Sequence, residues 1–354
     1  MDKLTQLRSK LDTIGAKALI ITDEINVRYL VEFEVQDASI LITPDMAYLL
    51  TDFRYIEVAT KRLPDTFEAV TPKSRFDFIE EKMNEKGINT LGFEGEKMTY
   101  AMHKSFKERF PNRELIDIET TLDDMRLIKT EDEIAKIQKA QDIADNAFSE
   151  LLKVLTPDMT EIEVAAELEY LMRKLGSEGP SFSTIAVSGD ASALPHGEPR
   201  NVKLRKGFLT LDFGAKYEGY CSDMTRTVVI GHADEDMKKL YDTVLRAQLS
   251  AIEYLKDGRD AGEADAVARR IIDEEYKGAF GHSLGHGVGL LVHESPALTP
   301  RAMGKVLVPG NVVTVEPGIY IYGKYGCRIE DMVAIREVGI HNFTHSTKEL
   351  IEIL

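Results

Sequence analysis

The stretch of sequence that decides the fold is LDFGAKYEGYCSD, residues 211–223. It predicts a β-hairpin, because apolar, β-prone runs precede and follow a polar KYEG segment that supplies the glycine a turn requires. When the turn is centred between Tyr217 and Glu218, Asp212 is expected to face Asp223. Directly opposed residues of an antiparallel pair project from one face about 5 Å apart, and two carboxylates there repel unless a cation lies between them. The hairpin therefore predicts a metal site.

A second hairpin repeats this arrangement nearer the C-terminus. Residues 312–320 and 326–335 are typical of strands, and a turn centred on Gly323 makes Glu316 face Glu330. Chance rarely places four acids in otherwise apolar, β-prone runs, because buried charges are rare unless they are paired or bound to metal. The alternative is that the acids lie on solvated faces of edge strands.

A glycine-rich segment, GHSLGHGVG at residues 281–289, supplies histidines. Glycine at every second position from 285 to 289 excludes a stable helix and lets other groups approach the backbone closely. His282, His286 and His293 are three of the eight histidines in the chain. Four carboxylates with one imidazole form a hard, mostly oxygen donor set, which suits two divalent cations such as Mn, Co or Zn.

This ligand pattern resembles that of the pita-bread metallopeptidases, which include methionine aminopeptidase, aminopeptidase P and prolidase. The wider resemblance is to the proline-specific branch, aminopeptidase P and prolidase, and it covers nearly the whole chain, including a smaller N-terminal domain. The pattern departs from the family at Cys327 and Met332, where members often have an apolar residue and an acid, but neither position is a ligand. The matching ligand positions are Asp212, Asp223, His286, Glu316 in VEPG and Glu330 in RIED.

The resemblance implies an α+β fold with two domains. A small α/β domain similar to the creatinase N-terminal domain is expected over residues 1–125, followed by a catalytic pita-bread domain over residues 126–354. The RLIK segment at residues 126–129 resembles the linker of the family. Capping boxes at Thr130 and Thr160 then predict two helices, and the order of two helices followed by a hairpin occurs twice.

The resemblance also implies how the ligands are shared. Asp223 and Glu330 are expected to bridge two metal ions, most simply Mn, with Co or Zn as alternatives. Asp212 would complete the shell of one ion, and His286 and Glu316 that of the other. Glu316 is also expected to act as the general base.

Further histidines are expected to contact the substrate. His196, in the loop sequence LPHG, would be a surface histidine if taken alone, but the family keeps a histidine beside the substrate at this place. His196 and His293 are therefore expected, with Glu316, to be catalytic, as donors to the developing oxyanion or the scissile amide. His282 and Arg328 complete the expected substrate-binding set, with Arg328 acting mainly through the ligands. The glycine-rich segment lacks the lysine of a phosphate loop, so nucleotide binding is disfavoured.

Composition limits the partners. A formal net charge of -16 disfavours nucleic acid and anionic membranes, and no apolar run reaches membrane-spanning length. The start MDK has no signal-peptide layout, and two cysteines fit a reducing, cytoplasmic location. Cys221 and Cys327 fall in the two metal hairpins, where core packing is the expectation and an oxidation-sensitive site the alternative. Family members are often homodimers, so a homodimer is expected.

The function expected first is that of a dimetal Xaa-Pro aminopeptidase, which hydrolyses the bond between an N-terminal residue and proline in di- or oligopeptides. The main alternative is an Xaa-Pro dipeptidase, or prolidase, and the two short histidine motifs fit both. A methionine aminopeptidase is disfavoured by the long N-terminal domain. A pita-bread protein that binds partners without catalysis is disfavoured by the intact ligand set.

Overall fold

The computed structural model describes residues 2–354 and divides into two compact units. The first unit ends at Met125, and the second is Arg126–Leu354. Among residues 2–354, no helix combines the length and the apolar character that crossing a membrane requires.

The first unit is built on a six-stranded mixed sheet. Its strand order is β4-β3-β2-β1-β5-β6, in which β1 runs antiparallel to β2 and parallel to β5. All residues of β1, β2 and β3 are buried, as expected for strands that are covered on both faces. The strands are β1 (Ala18–Ile21), β2 (Ser39–Ile42), β3 (Ala47–Leu50), β4 (Phe67–Val70), β5 (Thr90–Phe93) and β6 (Glu114–Asp117). The helices are α1 (Lys3–Ser9), α2 (Leu11–Ile14), α3 (Glu24–Val31), α4 (Ile56–Arg62), α5 (Arg75–Glu85) and α6 (Tyr100–Arg109).

Two pairs of long helices belong to the second unit. The capping boxes predicted at Thr130 and Thr160 are confirmed, and each begins one helix of the first pair. The helices are α8 (Glu131–Val154), α9 (Glu161–Lys174), α10 (Glu235–Tyr254) and α11 (Ala261–Asp273), preceded by α7 (Thr121–Leu127), which contains the boundary between the units.

Each helix pair shares a core with one of two larger sheets. The first sheet has the order β19-β11-β8-β7 and packs on α8 and α9, and the second has the order β13-β12-β14-β17-β18 and packs on α10 and α11. Two short ribbons, β10-β9 and β15-β16, complete the unit. The predicted order of a helix pair followed by strands, twice over, is therefore confirmed. The strands are β7 (Ile185–Ser188), β8 (Gly207–Phe213), β9 (Lys216–Tyr217), β10 (Tyr220–Cys221), β11 (Met224–Ile230), β12 (Gly285–Gly287), β13 (Glu294–Leu298), β14 (Val312–Val315), β15 (Gly318–Ile321), β16 (Tyr325–Arg328), β17 (Asp331–Ile335), β18 (Ile340–Asn342) and β19 (Glu352–Ile353).

The first hairpin has a register different from the predicted one. Asp212 lies opposite Thr225, so the prediction that it faces Asp223 is wrong. The turn residues are Glu218 and Gly219, with φ of 47° and 86°, and paired positive φ values are typical of the two-residue turns that match strand twist. Moving the turn centre by one residue shifts the partner of Asp212 by two. Because side chains alternate with period two, Asp223 stays on the same face as Asp212, on a diagonal.

The second hairpin has the predicted register. The ladders of β14 with β17 and of β15 with β16 are both centred on Gly323, which places Glu316 opposite Glu330. The predicted strands are each split at the acid, because Pro317 has no N–H to donate to the ladder.

The split redirects the backbone hydrogen bonds of both acids. The amide of Glu316 donates to the carbonyl of Leu284 at 2.8 Å, and the amide of Glu330 donates to the carbonyl of Thr225 at 3.1 Å. Leu284 directly precedes β12, and Thr225 belongs to β11. The two acids are therefore bonded through their main chain to the segments that carry the other predicted ligands.

Candidate active site and metal centre

All nine predicted site residues line one cavity of the second unit. The cavity has a volume of about 540 Å³, within the range of roughly 300–1,000 Å³ that is usual for small-ligand sites. The lining includes Asp212, Asp223, His286, Glu316, Glu330, His196, His282, His293 and Arg328.

Three of the four predicted carboxylate ligands lie around the imidazole of His286. Asp223, His286 and Glu330 each offer one ligand atom, and these atoms all lie within 4.8 Å of one another. The Nε2 atom of His286 lies 3.6 Å from Oδ2 of Asp223 and 3.3 Å from Oε1 of Glu316. Carboxylate oxygens and an imidazole nitrogen converge on one point, which is the arrangement that a divalent cation requires.

The fifth predicted ligand, Asp212, is held by an arginine. Its Oδ2 accepts a hydrogen bond from Nη2 of Arg328 at 2.5 Å. Its Oδ1 is buried and has no hydrogen-bond partner among residues 2–354. A buried carboxylate oxygen rarely lacks a partner in a native protein, so this oxygen fits the role of a metal ligand.

The electrostatics of the cluster also fit a cation. Burial, followed by the charge of Glu330, raises the pKa of Asp223 well above its usual range, and burial and the charge of Glu316 do the same for the pKa of Glu330. Burial likewise raises the pKa of Asp212, against the opposing charge of its arginine partner. Burial also acts to raise the pKa of Glu316, but the hydrogen bond and charge of His286, together with the charges of His282 and Arg328, outweigh it and leave that pKa below its ordinary value. Buried carboxyls that repel one another in this way are compensated by a divalent cation.

A threonine that the sequence reasoning missed orders the acids. Thr225 donates from Oγ1 to Oε2 of Glu330 at 2.7 Å and accepts from Nε of Arg328 at 3.0 Å. It lies opposite Asp212, two residues after Asp223, so the correct hairpin register would have indicated it.

A tyrosine that the sequence reasoning also missed joins Arg328 to a histidine. Nη1 of Arg328 donates to the hydroxyl of Tyr320 at 2.8 Å, and that hydroxyl lies 2.9 Å from Nε2 of His282. Burial raises the pKa of Tyr320 to about 12, so its phenol stays protonated at neutral pH. Nη1 of Arg328 also donates to the carbonyl of Pro195 at 3.3 Å, which ties the loop of His196 to the same group. The sequence signal for Tyr320 was its position four residues after Glu316. Because side chains alternate along a strand, this spacing puts both on one face of the hairpin.

The two remaining histidines are exposed at the cavity. The ring of His293 lies 4.2 Å from that of His286 between centroids, and burial, with the nearby charge of His286, lowers the pKa of His293. Among residues 2–354, neither the ring of His293 nor that of His196 forms a hydrogen bond. Both rings are therefore available to a bound molecule.

Comparison with known proteins agrees with this geometry. Residues 135–337 match the model of metallopeptidase family M24, and residues 3–128 match that of the creatinase/prolidase N-terminal domain. An Xaa-Pro dipeptidase of Pyrococcus furiosus is 39% identical over 355 residues, which cover 99% of this chain and 99% of that protein. The structure of an Xaa-Pro dipeptidase from Bacillus anthracis is 42% identical, has a TM-score of 0.94, and covers 99% of both chains. The structure of an X-Pro aminopeptidase from Thermotoga maritima MSB8 is 36% identical, has a TM-score of 0.93, and covers 99% of this chain and 100% of that chain.

The family and the fold class predicted from the sequence are thus confirmed. A cavity that gathers four acids and a histidine, together with these matches, leads to one conclusion: this chain is a member of metallopeptidase family M24, with a pita-bread catalytic domain and an N-terminal domain of the creatinase/prolidase type.

Proposed function

We propose that this enzyme is a two-metal exopeptidase that hydrolyses the bond between an N-terminal residue and proline. The observation that carries the proposal is the convergence of four carboxylates and an imidazole, beside exposed histidines, in one cavity. The similar dipeptidases and the similar aminopeptidase are all named for action at Xaa-Pro bonds, which supports proline specificity.

The predicted ligand set would hold two divalent cations, with Mn proposed first and Co or Zn as alternatives. Asp223 and Glu330 would be shared by the two ions, Asp212 would belong to one, and His286 and Glu316 to the other. When bound, such ions polarise a carbonyl and make hydroxide available near neutral pH.

The protein groups would position the substrate and move its protons. Glu316 offers a carboxylate that can accept the proton of the attacking water. The unpaired rings of His293 and His196 can donate to the carbonyl oxygen as it gains negative charge. His282, held between the carbonyl of Ser283 at 2.8 Å and the hydroxyl of Tyr320, would orient the part of the peptide beyond the scissile bond.

The preferred length of the peptide separates two candidates. The names of similar proteins favour the Xaa-Pro dipeptidase, the alternative of the sequence analysis, over the aminopeptidase that was expected first. The charges of the cavity favour the aminopeptidase. Among the described residues that line it, Arg328 is the one lysine or arginine, and it is committed to Asp212 and Tyr320. Glu198 adds another acid to the lining, so the carboxylate of a dipeptide would find no free cationic side chain of this kind.

The deciding experiment compares kcat/KM for Xaa-Pro and Xaa-Pro-Yaa peptides that share the first residue, with Mn supplied. A tenfold preference for Xaa-Pro, about 1.4 kcal/mol of transition-state binding, would assign the dipeptidase. The same preference for Xaa-Pro-Yaa would assign the aminopeptidase. Equal cleavage of Xaa-Ala peptides would contradict proline specificity. Metal binding without hydrolysis of any peptide would indicate a non-catalytic binding protein.

We also propose that the enzyme works as a homodimer in the cytoplasm. Light scattering on the purified protein at micromolar concentration tests the oligomeric state, and a monomer would contradict this part of the proposal.

A further inference from the structure

The RLIK segment, residues 126–129, carries two cations that the proposed function does not use. Nζ of Lys129 lies 2.7 Å from Oε1 of Glu294, and Nε of Arg126 lies 3.6 Å from Oε2 of the same residue. The three side chains are only 2%, 5% and 6% exposed for Lys129, Arg126 and Glu294. Charges buried to this extent are tolerated when they are paired, and removing one partner leaves the other buried without compensation.

Glu294 connects this ion pair to two site histidines. It directly follows His293 and opens β13, and it lies opposite Gly287, the neighbour of His286. Its carboxylate also packs on Gly289, where an added Cβ would lie 2.3 Å from Oε1 of Glu294. The side chain of Glu294 therefore fixes the backbone on which His293 is mounted.

The RLIK segment is itself held firmly. The amide of Lys129 donates to the carbonyl of Gly310 at 2.9 Å, and Nδ2 of Asn311 donates to the carbonyl of Leu127 at 3.0 Å. Gly310 has a φ of +90°, and a Cβ there would lie 2.7 Å from Cγ2 of Ile128. Lys129 thus reaches Glu294 from a backbone segment that is hydrogen-bonded to the residues just before β14.

His293 has no comparable anchor on its own side chain, since its ring forms no hydrogen bond within residues 2–354. We propose that Lys129 and Glu294 are positioning residues, whose buried ion pair sets the ring of His293 in the cavity. The proposal rests on the proposed function, in which that ring contacts the substrate. It gives the RLIK segment a role in catalysis in addition to joining two domains.

The test is whether Lys129 acts through His293. Lys129→Met keeps the length of the side chain and removes its charge, and Glu294→Gln keeps the shape of its partner as a milder variant. We expect either change to lower kcat about tenfold or more and to leave KM within about twofold of the wild-type value. In a His293→Ala background, either change should lower kcat by less than about twofold further, since the effects of residues that act as a unit are not additive. Lys203→Met, which breaks an exposed 2.8 Å ion pair with Asp158, is the matched control and should leave kcat unchanged.

A second measurement does not depend on activity. In protein labelled with ¹³C-histidine, the resonances of the His293 ring should shift in Lys129→Met and stay in place in Lys203→Met. An equal loss of kcat in the wild-type and His293→Ala backgrounds would overturn the proposal, and so would a His293 resonance that does not move. If Lys129→Met does not fold, Glu294→Gln decides by the same criteria. A wild-type enzyme without activity on Xaa-Pro peptides would refute the proposed function, while the resonances would still test the positioning.

Discussion

Replacing Thr225 by valine tests how the carboxylates are held. Thr225 is fully buried, and its hydroxyl bonds Glu330 at 2.7 Å and Arg328 at 3.0 Å. Valine has the same shape, so the change removes two hydrogen bonds and leaves two buried charged groups without this partner. Each bond to a charged group contributes about 1.5–3 kcal/mol, and because one hydroxyl serves both, we expect a loss near the lower limit of the sum, about 3 kcal/mol.

The measurement is the free energy of unfolding in urea, followed by circular dichroism because the chain has no tryptophan. A chelator must be present, because metal binding to the folded state would add its own stabilisation. Thr225→Ser is the matched control, since it keeps the hydroxyl and loses one methyl group at a cost of about 1 kcal/mol. Equal unfolding free energies for the valine and serine variants would refute the reasoning.

Other perturbations address the metals, the histidines and acid stability. Exhaustive chelation should abolish hydrolysis and Mn or Co should restore it, and full activity in protein shown to be free of metal would exclude the proposed centre. His286→Ala should lose metal, whereas His293→Ala and His196→Ala should keep it and lower kcat by roughly 10²-fold, as loss of a transition-state donor does; the opposite pattern of metal content would show that the ligand is misassigned. Away from the cavity, burial acts to raise the pKa of Glu161, but hydrogen bonds from Arg200 and Ser188 together outweigh it and hold that pKa below its ordinary value. Because the pKa of Glu161 is depressed in the folded state, this residue contributes stability above about pH 4.5 that is lost as the pH falls. The difference in unfolding free energy between wild type and Glu161→Gln should therefore narrow on acidification. A difference that widens would contradict this sign.

The sequence predicted the elements of the site better than their exact pairing. The register of the second hairpin was correct because its turn is centred on Gly323, a residue suited to the positive φ of 72° found there. The first register failed because Glu218, which is not a glycine, also takes a positive φ, and nothing in its side chain signals this. In the first unit, helix α3 was missed, although Asp23 caps it by accepting from the amide of Asn26.

Contacts that depend on tertiary packing could not be read from the sequence. Tyr320 is one β-strand tyrosine among several until Arg328 and His282 are seen beside it. The expectation that the cysteines serve as core packing fits the structure, since both side chains are buried, and burial raises the pKa of Cys327 to about 12. A thiol with so high a pKa is a poor nucleophile at neutral pH, which argues against an oxidation-sensitive site there.

The split strands have a consequence for how this scaffold tolerates change. Glu316 and Glu330 are fixed by main-chain bonds to Leu284 and Thr225, and these bonds are indifferent to the side chain that each position carries. Exchanging an acid for a neutral residue would therefore remove the charge while the surrounding backbone keeps its course. A protein built in this way can lose its acidic side chains and keep a cavity of the same shape. The scaffold is therefore suited to binding functions, or to residues that bind a different metal.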